Sequence, residues 1–180
     1  MEEISHQLGQ IASHFTKGLH YSSLSRRQRL AALIDVHCIP GGDGLVVETS
    51  RAVVVRNDRT LRRAVLAEAV LELANVWQAR AITIESRSHP HGHFAKLDRD
   101  DSLLVAKLRD ARQVSREISV EHASKGEVIL GLADLLAGAR TDWLCGVDRA
   151  PWSVVQHRMQ LRSVPPKWTE PGDAEAPGSL

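Results

Sequence analysis

The order of apolar patterns along these 180 residues predicts an α/β protein in which helices alternate with strands. Short β-branched runs of strand length stand at 45–48, 52–55, 81–85 and 117–120. Longer segments with a helical apolar period stand at 59–77, 101–113 and 126–146. Because parallel strands need a crossover connection that is usually a helix, we expect an at least partly parallel sheet.

Two helices are predicted before the first strand. Apolar residues recur at helical spacing over 4–15, and a second such period covers 24–36. Arg26 and Arg27 crowd the start of the second helix, where cations oppose the helix dipole. They are therefore expected to pair with acids or to meet an anion. The glycine-rich segment 40–44 that follows is predicted to be a loop.

The middle of the chain contains the strongest strand pattern, Ala81-Ile82-Thr83-Ile84-Glu85, which ends on a carboxylate. A polar loop follows it. Three acids, Asp98, Asp100 and Asp101, then precede the helix predicted from residue 101, and Asp100 is interpreted as its cap.

Asp134 is the single carboxylate in the middle of the apolar segment Gly126–Gly146. The segment is predicted to be a helix that starts near Lys125 and stops at Gly146. Gly138 lies one turn after Asp134, and a glycine inside a helix costs about 1 kcal/mol relative to alanine, so we expect a close approach of this face to a sheet or a ligand. From the pattern alone, an ion pair between Asp134 and an arginine is favoured over a metal or cleft position.

The last part of the chain divides into a predicted helix over 151–161 and a tail. The tail, residues 164–180, is rich in proline and glycine and is expected to be largely disordered. Residues 1–163 are therefore interpreted as one α/β domain.

Composition limits the classes of function. The net charge of +1 predicts no global field for nucleic acid, so any such binding needs a local basic patch. Cys38 and Cys145 are the only cysteines, and they are interpreted as reduced thiols that fill the core. The polar N-terminus lacks the apolar region of a signal peptide, and no apolar stretch is long enough to span a membrane. These features predict a cytoplasmic protein.

A divalent-metal site is the sharpest chemical hypothesis. In α/β sheets, functional groups collect at the carboxyl ends of strands, where Glu85 stands. Asp134 lies on a helix expected to pack beside that strand, and Asp98 and Asp101 can add ligands. Converging carboxylates suit Mg²⁺ or Mn²⁺, which prefer oxygen ligands and can clamp a phosphoryl group.

Histidines provide two further hypotheses. His122 follows a strand and can reach a cleft as an acid or base, although a polar residue that closes a loop is at least as common. His89, His91 and His93 alternate in a manner that can bind transition metals. A solvated loop is favoured for these three, because no cysteine or acid is adjacent.

Several short motifs resemble, in one order, a large family of uncharacterised bacterial proteins of actinobacterial type with a ribonuclease H-like, integrase-like fold. They are Leu19-His20, the arginine-rich turn 59–63, Ile84-Glu85-Ser86-Arg87, Leu97-Asp98-Arg99 with Asp101, Val120-Glu121-His122-Ala123 and the helix segment Ile129–Ala139. The resemblance spans roughly His20 to Trp152. It implies a mixed sheet flanked by helices and relatedness to metal-dependent nucleases.

By this resemblance, Glu85 and Asp134 fall on acidic positions expected to hold divalent metal. Asp98, Asp101 and His122 match motif positions near the same cleft. The resemblance therefore reverses the preference for a structural Asp134, and it makes Glu85, Asp134, Asp101 and His122 the expected catalytic residues.

The chain departs from the family at its start. Family members begin with a strand that carries an Asp-Glu-Ser motif and supplies the first metal ligand, whereas this chain begins with MEEISHQLGQ. We therefore expect a sheet without its N-terminal strand, a metal site short of one acid, and impaired or absent activity. A truncated gene start is one explanation, and an in-frame upstream strand would restore the enzyme hypothesis.

The alternative function is a non-catalytic interaction protein that keeps the fold. A sheet without its central strand exposes hydrogen-bonding edges, so a homodimer or a partner chain at such an edge is expected. Under the nuclease hypothesis, local arginines would meet nucleic-acid phosphate. The expected residues are Arg26, Arg27, Arg62 and Arg63.

Overall fold

The computed structural model describes residues 6, 9–11, 13, 20–40, 43–49, 58–86, 95–123, 128–165, 168–169 and 171. Within them the protein is a helix-rich α/β chain, which confirms the predicted class. The helices are α1 (Arg26–His37), α2 (Asp58–Asn75), α3 (Ala95–Asp110), α4 (Val128–Leu144) and α5 (Ala150–Val155). The strands are β1 (Gly44–Thr49), β2 (Ala81–Glu85), β3 (Ser119–Ala123) and β4 (Met159–Val164).

The chain forms two compact units. The first contains Met1–Val46 and Ser124–Gln160, and the second contains Val47–Ala123 and Leu161–Leu180. Each unit has its own buried apolar cluster.

In the first unit, α1, α4 and α5 pack around one apolar core. Helix α1 begins with a reciprocal cap, in which the Ser25 hydroxyl accepts from the Gln28 backbone N–H and the Gln28 side chain accepts from the Ser25 N–H. Trp152 on α5 and Leu135 on α4 are fully buried in the core.

The sequence patterns predicted α1 and α4 but also placed Cys38 and Cys145 in the core. That prediction was wrong, because both thiols lie just beyond helix ends and are exposed.

Gly138 on α4 allows a close approach, although its neighbour is neither a sheet nor a ligand. A Cβ atom at this position would lie 2.2 Å from Tyr21 Cγ. Tyr21 begins a short 3₁₀ helix, Tyr21–Ser23, and is itself buried. The missing side chain of Gly138 therefore makes room for the ring of Tyr21.

The second unit contains a β2–α3–β3 crossover with parallel strands, as expected from the alternation. The register pairs Ile84 with His122 and Glu85 with Ala123. Helices α2 and α3 pack on each other, and Val70, Leu104 and Leu108 are fully buried in their shared apolar cluster. This arrangement brings the carboxyl ends of β2 and β3 side by side.

Helix α3 begins at Ala95, earlier than predicted, so Asp98, Asp100 and Asp101 lie inside it. The prediction that Asp100 caps the helix was therefore wrong. The inward stripe of α3 includes Leu104 and Leu108, and Asp101 occupies a buried position on the preceding turn. A carboxylate at an inward position interrupts the apolar period, which concealed the first turns from pattern analysis.

The end of the chain also differs from the prediction. The helix expected over 151–161 stops at Val155, and β4 (Met159–Val164) follows and pairs with β1. The strand predicted at 52–55, the start of the first predicted helix at 4–5 and the histidine loop lie outside the described residues. Among the described residues, no helix is long and apolar enough to cross a membrane.

We predict that Gly138→Ala lowers the free energy of unfolding by about 1–3 kcal/mol, because the added methyl group overlaps the Tyr21 ring. Denaturant unfolding measures this cost against Gly9→Ala, since Gly9 is a helical glycine whose added methyl group would meet no atom of the described residues within 4 Å. In a Tyr21→Ala background the cost of Gly138→Ala should vanish. An undiminished cost there would show that the ring is not its source.

Candidate functional site

The parallel pairing of β2 with β3 builds one edge where candidate residues collect. Glu85 is the last residue of β2, and the next residue, Ser86, extends the ladder by donating its N–H to Ala123 O at 2.8 Å. His122 stands opposite Ile84. The sequence-predicted positions Glu85 and His122 are thus held at the same sheet edge by backbone hydrogen bonds.

Asp101 is the most buried acid at this edge, with 1% of its surface exposed. Arg62 on α2 engages both of its carboxylate oxygens, with Nε at 3.3 Å from Oδ1 and Nη2 in contact with Oδ2. Such a fork-shaped pair is the geometry in which arginine binds a carboxylate most strongly. Arg62 therefore neutralises Asp101 within the described structure.

His122 completes this group. Its Nε2 lies 3.7 Å from Asp101 Oδ2, which is longer than a hydrogen bond. The atom is buried, and no hydrogen-bond partner for it occurs among the described residues. Asp101, Arg62 and His122 thus form one cluster, here called the Asp101 cluster.

Asp98 lies one turn before Asp101 on α3, and its carboxylate contacts the residue that follows β2. The Ser86 hydroxyl donates to its Oδ2 at 2.6 Å. The structure therefore brings four of the predicted site residues, Glu85, Asp98, Asp101 and His122, to elements that pack together in the second unit.

Glu85 differs from the other acids. It is half-buried and lines an open groove of about 450 Å³ with Arg62 and Ile84. The remaining lining residues are apolar side chains of α2: Leu61, Val65, Leu66 and Ala69. Within the described part of the chain, the Glu85 carboxylate takes part in no hydrogen bond or ion pair.

Three of the four arginines predicted to meet phosphate already contact a carboxylate or a backbone carbonyl. Arg62 holds Asp101, and Arg63 Nη1 donates to Asp100 O at 3.2 Å. Arg26 Nε donates to Asp148 Oδ2 at 2.5 Å, and this hydrogen bond holds the pKa of the Asp148 carboxyl below its usual range. Arg27 is exposed beside Arg26 on a separate groove of the first unit.

Asp134 belongs to the first unit, where it supports the 3₁₀ helix. Its Oδ2 accepts a hydrogen bond from the Tyr21 N–H at 2.8 Å, and His20 Nδ1 lies 3.7 Å away. The partner is thus a backbone N–H and a histidine rather than the arginine that the pattern favoured. With 45% of its side chain exposed, the carboxylate remains accessible.

Sequence reasoning missed a polar cluster next to Asp134. The Tyr21 hydroxyl donates to Asp142 Oδ2 at 2.6 Å, and Arg29 Nη1 donates to the same oxygen at 3.2 Å. The Arg29 guanidinium also lies 4.1 Å from the Tyr21 ring centre. Burial, with the hydrogen bond to Asp142, raises the pKa of Tyr21 to about 12. The signal was available, since Asp134, Gly138 and Asp142 recur at four-residue spacing on one helix face.

The metal hypothesis fits these residues only in part. Both oxygens of Asp101 already bind Arg62, so this carboxylate does not suit a cation. The Glu85 carboxylate suits a cation, because it has no partner among the described residues. Among the described residues there is no group of three or more histidine, cysteine or acidic side chains that could hold a metal ion. The expected meeting of Glu85 with Asp134 stays a prediction, and His89, His91 and His93 lie outside the described residues.

Comparison with known proteins adds no relative. No protein-family model matches the chain, and no curated protein or solved structure matches it.

We predict that Arg62→Met lowers the free energy of unfolding by about 3 kcal/mol or more, because it leaves the buried Asp101 charge without a partner. Arg116→Met is the control, because Arg116 pairs with Asp110 in the same unit and their side chains are 82% and 79% exposed. Removing this exposed pair should cost less than about 1 kcal/mol. Equal costs in urea unfolding would contradict the assignment of Asp101 as a buried, paired charge.

Tyr21 is the only tyrosine, so phenolate absorbance reports on it alone. We predict a titration midpoint near 12 in the folded protein, which Asp142→Asn lowers toward the value near 10 of a free phenol. Because the folded-state pKa is raised, the stability that Tyr21 contributes is complete below about pH 10 and is lost as the pH rises toward 12. A midpoint near 10 in the native protein would contradict the buried hydrogen bond.

Proposed function

We propose that this chain is a ribonuclease H-like protein related to metal-dependent phosphodiesterases, and that phosphodiester hydrolysis is impaired in it. The parallel β2–α3–β3 unit supports the proposal, since it carries acids at the carboxyl end of a sheet. The short motifs in 20–152 support it independently, because their order resembles that family.

Impaired hydrolysis is inferred from one contact, in which Arg62 binds both carboxylate oxygens of Asp101. A divalent cation would normally neutralise such an acid and would also bind and activate water. An arginine supplies the neutralising charge, but it offers no open coordination position for water. A site organised in this way holds its shape without metal and lacks that route to a nucleophile.

Residual metal binding is assigned to Glu85, with Asp98, whose carboxylate accepts from Ser86 at the end of β2, as an additional oxygen donor. The family resemblance assigns Asp134 a metal role as well, and Asp134 is accessible in its own unit. Mg²⁺ or Mn²⁺ bound through one or two carboxylates would be weak, because water molecules would fill most of the six coordination positions. When bound, the ion would contribute electrostatic attraction for a phosphate group.

Nucleic acid is the partner class that follows from a phosphodiesterase ancestry. Arg27 is the most available of the proposed phosphate contacts, since it is exposed, whereas Arg62 and Arg63 contact acids or carbonyls of α3. Binding through so small a patch would be weak and sensitive to salt. A cytoplasmic location belongs to the same proposal.

A second function, a non-catalytic interaction protein, is favoured by the strand pairing. In the part of the chain that the structure describes, β2 pairs with β3 and β1 pairs with β4, and each sheet has two strands. Short sheets present unpaired backbone groups along their edges, which are templates for a strand from another chain. A homodimer or a partner chain could supply that strand without any chemistry.

We predict that 10 mM Mn²⁺ raises the melting temperature of the wild type by roughly 3–6 °C, as expected for a dissociation constant near 1 mM. Glu85→Gln should abolish the increase, because it removes a carboxylate that has no partner among the residues that the structure describes. Differential scanning fluorimetry measures both, with the exposed acid variant Glu117→Gln as control.

Asp134→Asn forms a separate arm of this experiment. The resemblance predicts that it also reduces the Mn²⁺ effect, whereas a purely structural Asp134 would lower the starting melting temperature and leave the increase intact. If Mn²⁺ has no effect on the wild type, or acts equally on Glu85→Gln, the metal proposal is wrong and the interaction function replaces it.

A further inference from the structure

The groove beside Glu85 is lined mainly by apolar side chains, which a metal site does not require. Leu61, Val65, Leu66 and Ala69 form one wall along α2, and Ile84 of β2 forms the other. The four α2 residues stand at positions i, i+4, i+5 and i+8, so they lie on one apolar face of the helix that the core of the unit does not fully cover. A wall of this kind gains free energy when an apolar ligand displaces water from it.

Among the described residues, two charged side chains line the groove, and they are not equivalent. Arg62 is bound to Asp101, so its positive charge is already matched. Glu85 has no partner within the described part of the chain. The groove therefore presents one unmatched negative charge next to an apolar wall.

A half-buried carboxylate beside apolar side chains is poorly solvated, and a cation brought to it regains the lost electrostatic stabilisation. An anion would be repelled by Glu85 and would find Arg62 occupied. A neutral apolar molecule would gain only from the wall. The ligand chemistry that matches both features joins a cationic group to an apolar body.

We propose that this groove binds small apolar amines, with the ammonium group at the Glu85 carboxylate and the alkyl or aryl body along Leu61, Val65, Leu66 and Ala69. The inference shares Glu85 with the proposed metal site but does not depend on metal binding. Amines and divalent cations would compete for Glu85. The apolar stripe on α2 would select amines with a body of several carbon atoms over small ammonium ions.

The test is a titration of the ¹⁵N-labelled protein at pH 7, followed by the backbone amide shifts of Leu66 and Ile84. Hexylamine is the probe. Its matched controls are methylamine, which lacks the apolar body, hexan-1-ol, which lacks the charge, and hexanoate, which carries the opposite charge. Hexylamine should bind at least about fivefold more tightly than methylamine or hexan-1-ol, and hexanoate should not bind. Equal binding of hexylamine and hexanoate would overturn the proposal.

Variants separate the two contributions. Glu85→Gln should weaken hexylamine at least about fivefold and leave hexan-1-ol unchanged, whereas Glu117→Gln should change neither. Ala69→Leu should fill the groove and weaken the binding of hexylamine and hexan-1-ol, while the Mn²⁺ effect is preserved. If Ala69→Leu does not fold, Val65→Met is used as the groove-filling variant. Hexylamine binding that is unaffected by Glu85→Gln or by both groove-filling variants would also overturn the proposal.

The outcomes distinguish this inference from the proposed function. If Mn²⁺ has no effect but hexylamine binds through Glu85, the amine site stands without the phosphodiesterase proposal. If Mn²⁺ acts through Glu85 but the four probes bind equally weakly, the amine site is wrong and the metal proposal is unaffected.

Discussion

The ion pair between Arg62 and Asp101 is the constraint on which the chemistry of the second unit depends. Asp101 occupies an inward position of α3 that would otherwise hold an apolar side chain, so its charge must be matched. Arg62 matches it from α2 and thereby joins the two helices that cover the core. His122 approaches the same carboxylate from β3. One buried acid thus connects three elements of the unit.

The same pair separates the acids into two kinds. Asp101 is satisfied by protein groups and maintains the structure, whereas Glu85 lies beside a groove without a partner in the described residues. Asp98 stands between these two kinds. Its carboxylate accepts a hydrogen bond from Ser86, and it lies at the end of β2 on the same edge as Glu85. Among the described acids at this edge, Glu85 is therefore the carboxylate that can accept a new cation without losing an existing hydrogen bond or ion pair.

Sequence patterns predicted the features that depend on local periodicity. The alternation of helices and strands, β2, and the parallel crossover to β3 follow from runs of β-branched and apolar residues. The start of α3 was missed because Asp101 interrupts the apolar stripe, and only its tertiary partner Arg62 makes that position stable. The backbone partner of Asp134 and the Tyr21 cluster were missed because they join residues more than one hundred positions apart.

We infer that the Arg62 guanidinium takes the place of a metal cation at Asp101. Electron paramagnetic resonance of free Mn²⁺ can compare the Mn²⁺ affinity of the wild type with that of Arg62→Met. Removing the guanidinium takes away the ion-pair partner of a buried carboxylate, so we predict Mn²⁺ binding at least about tenfold tighter in the variant, or roughly 1.4 kcal/mol. Equal or weaker binding by a folded Arg62→Met protein would contradict it.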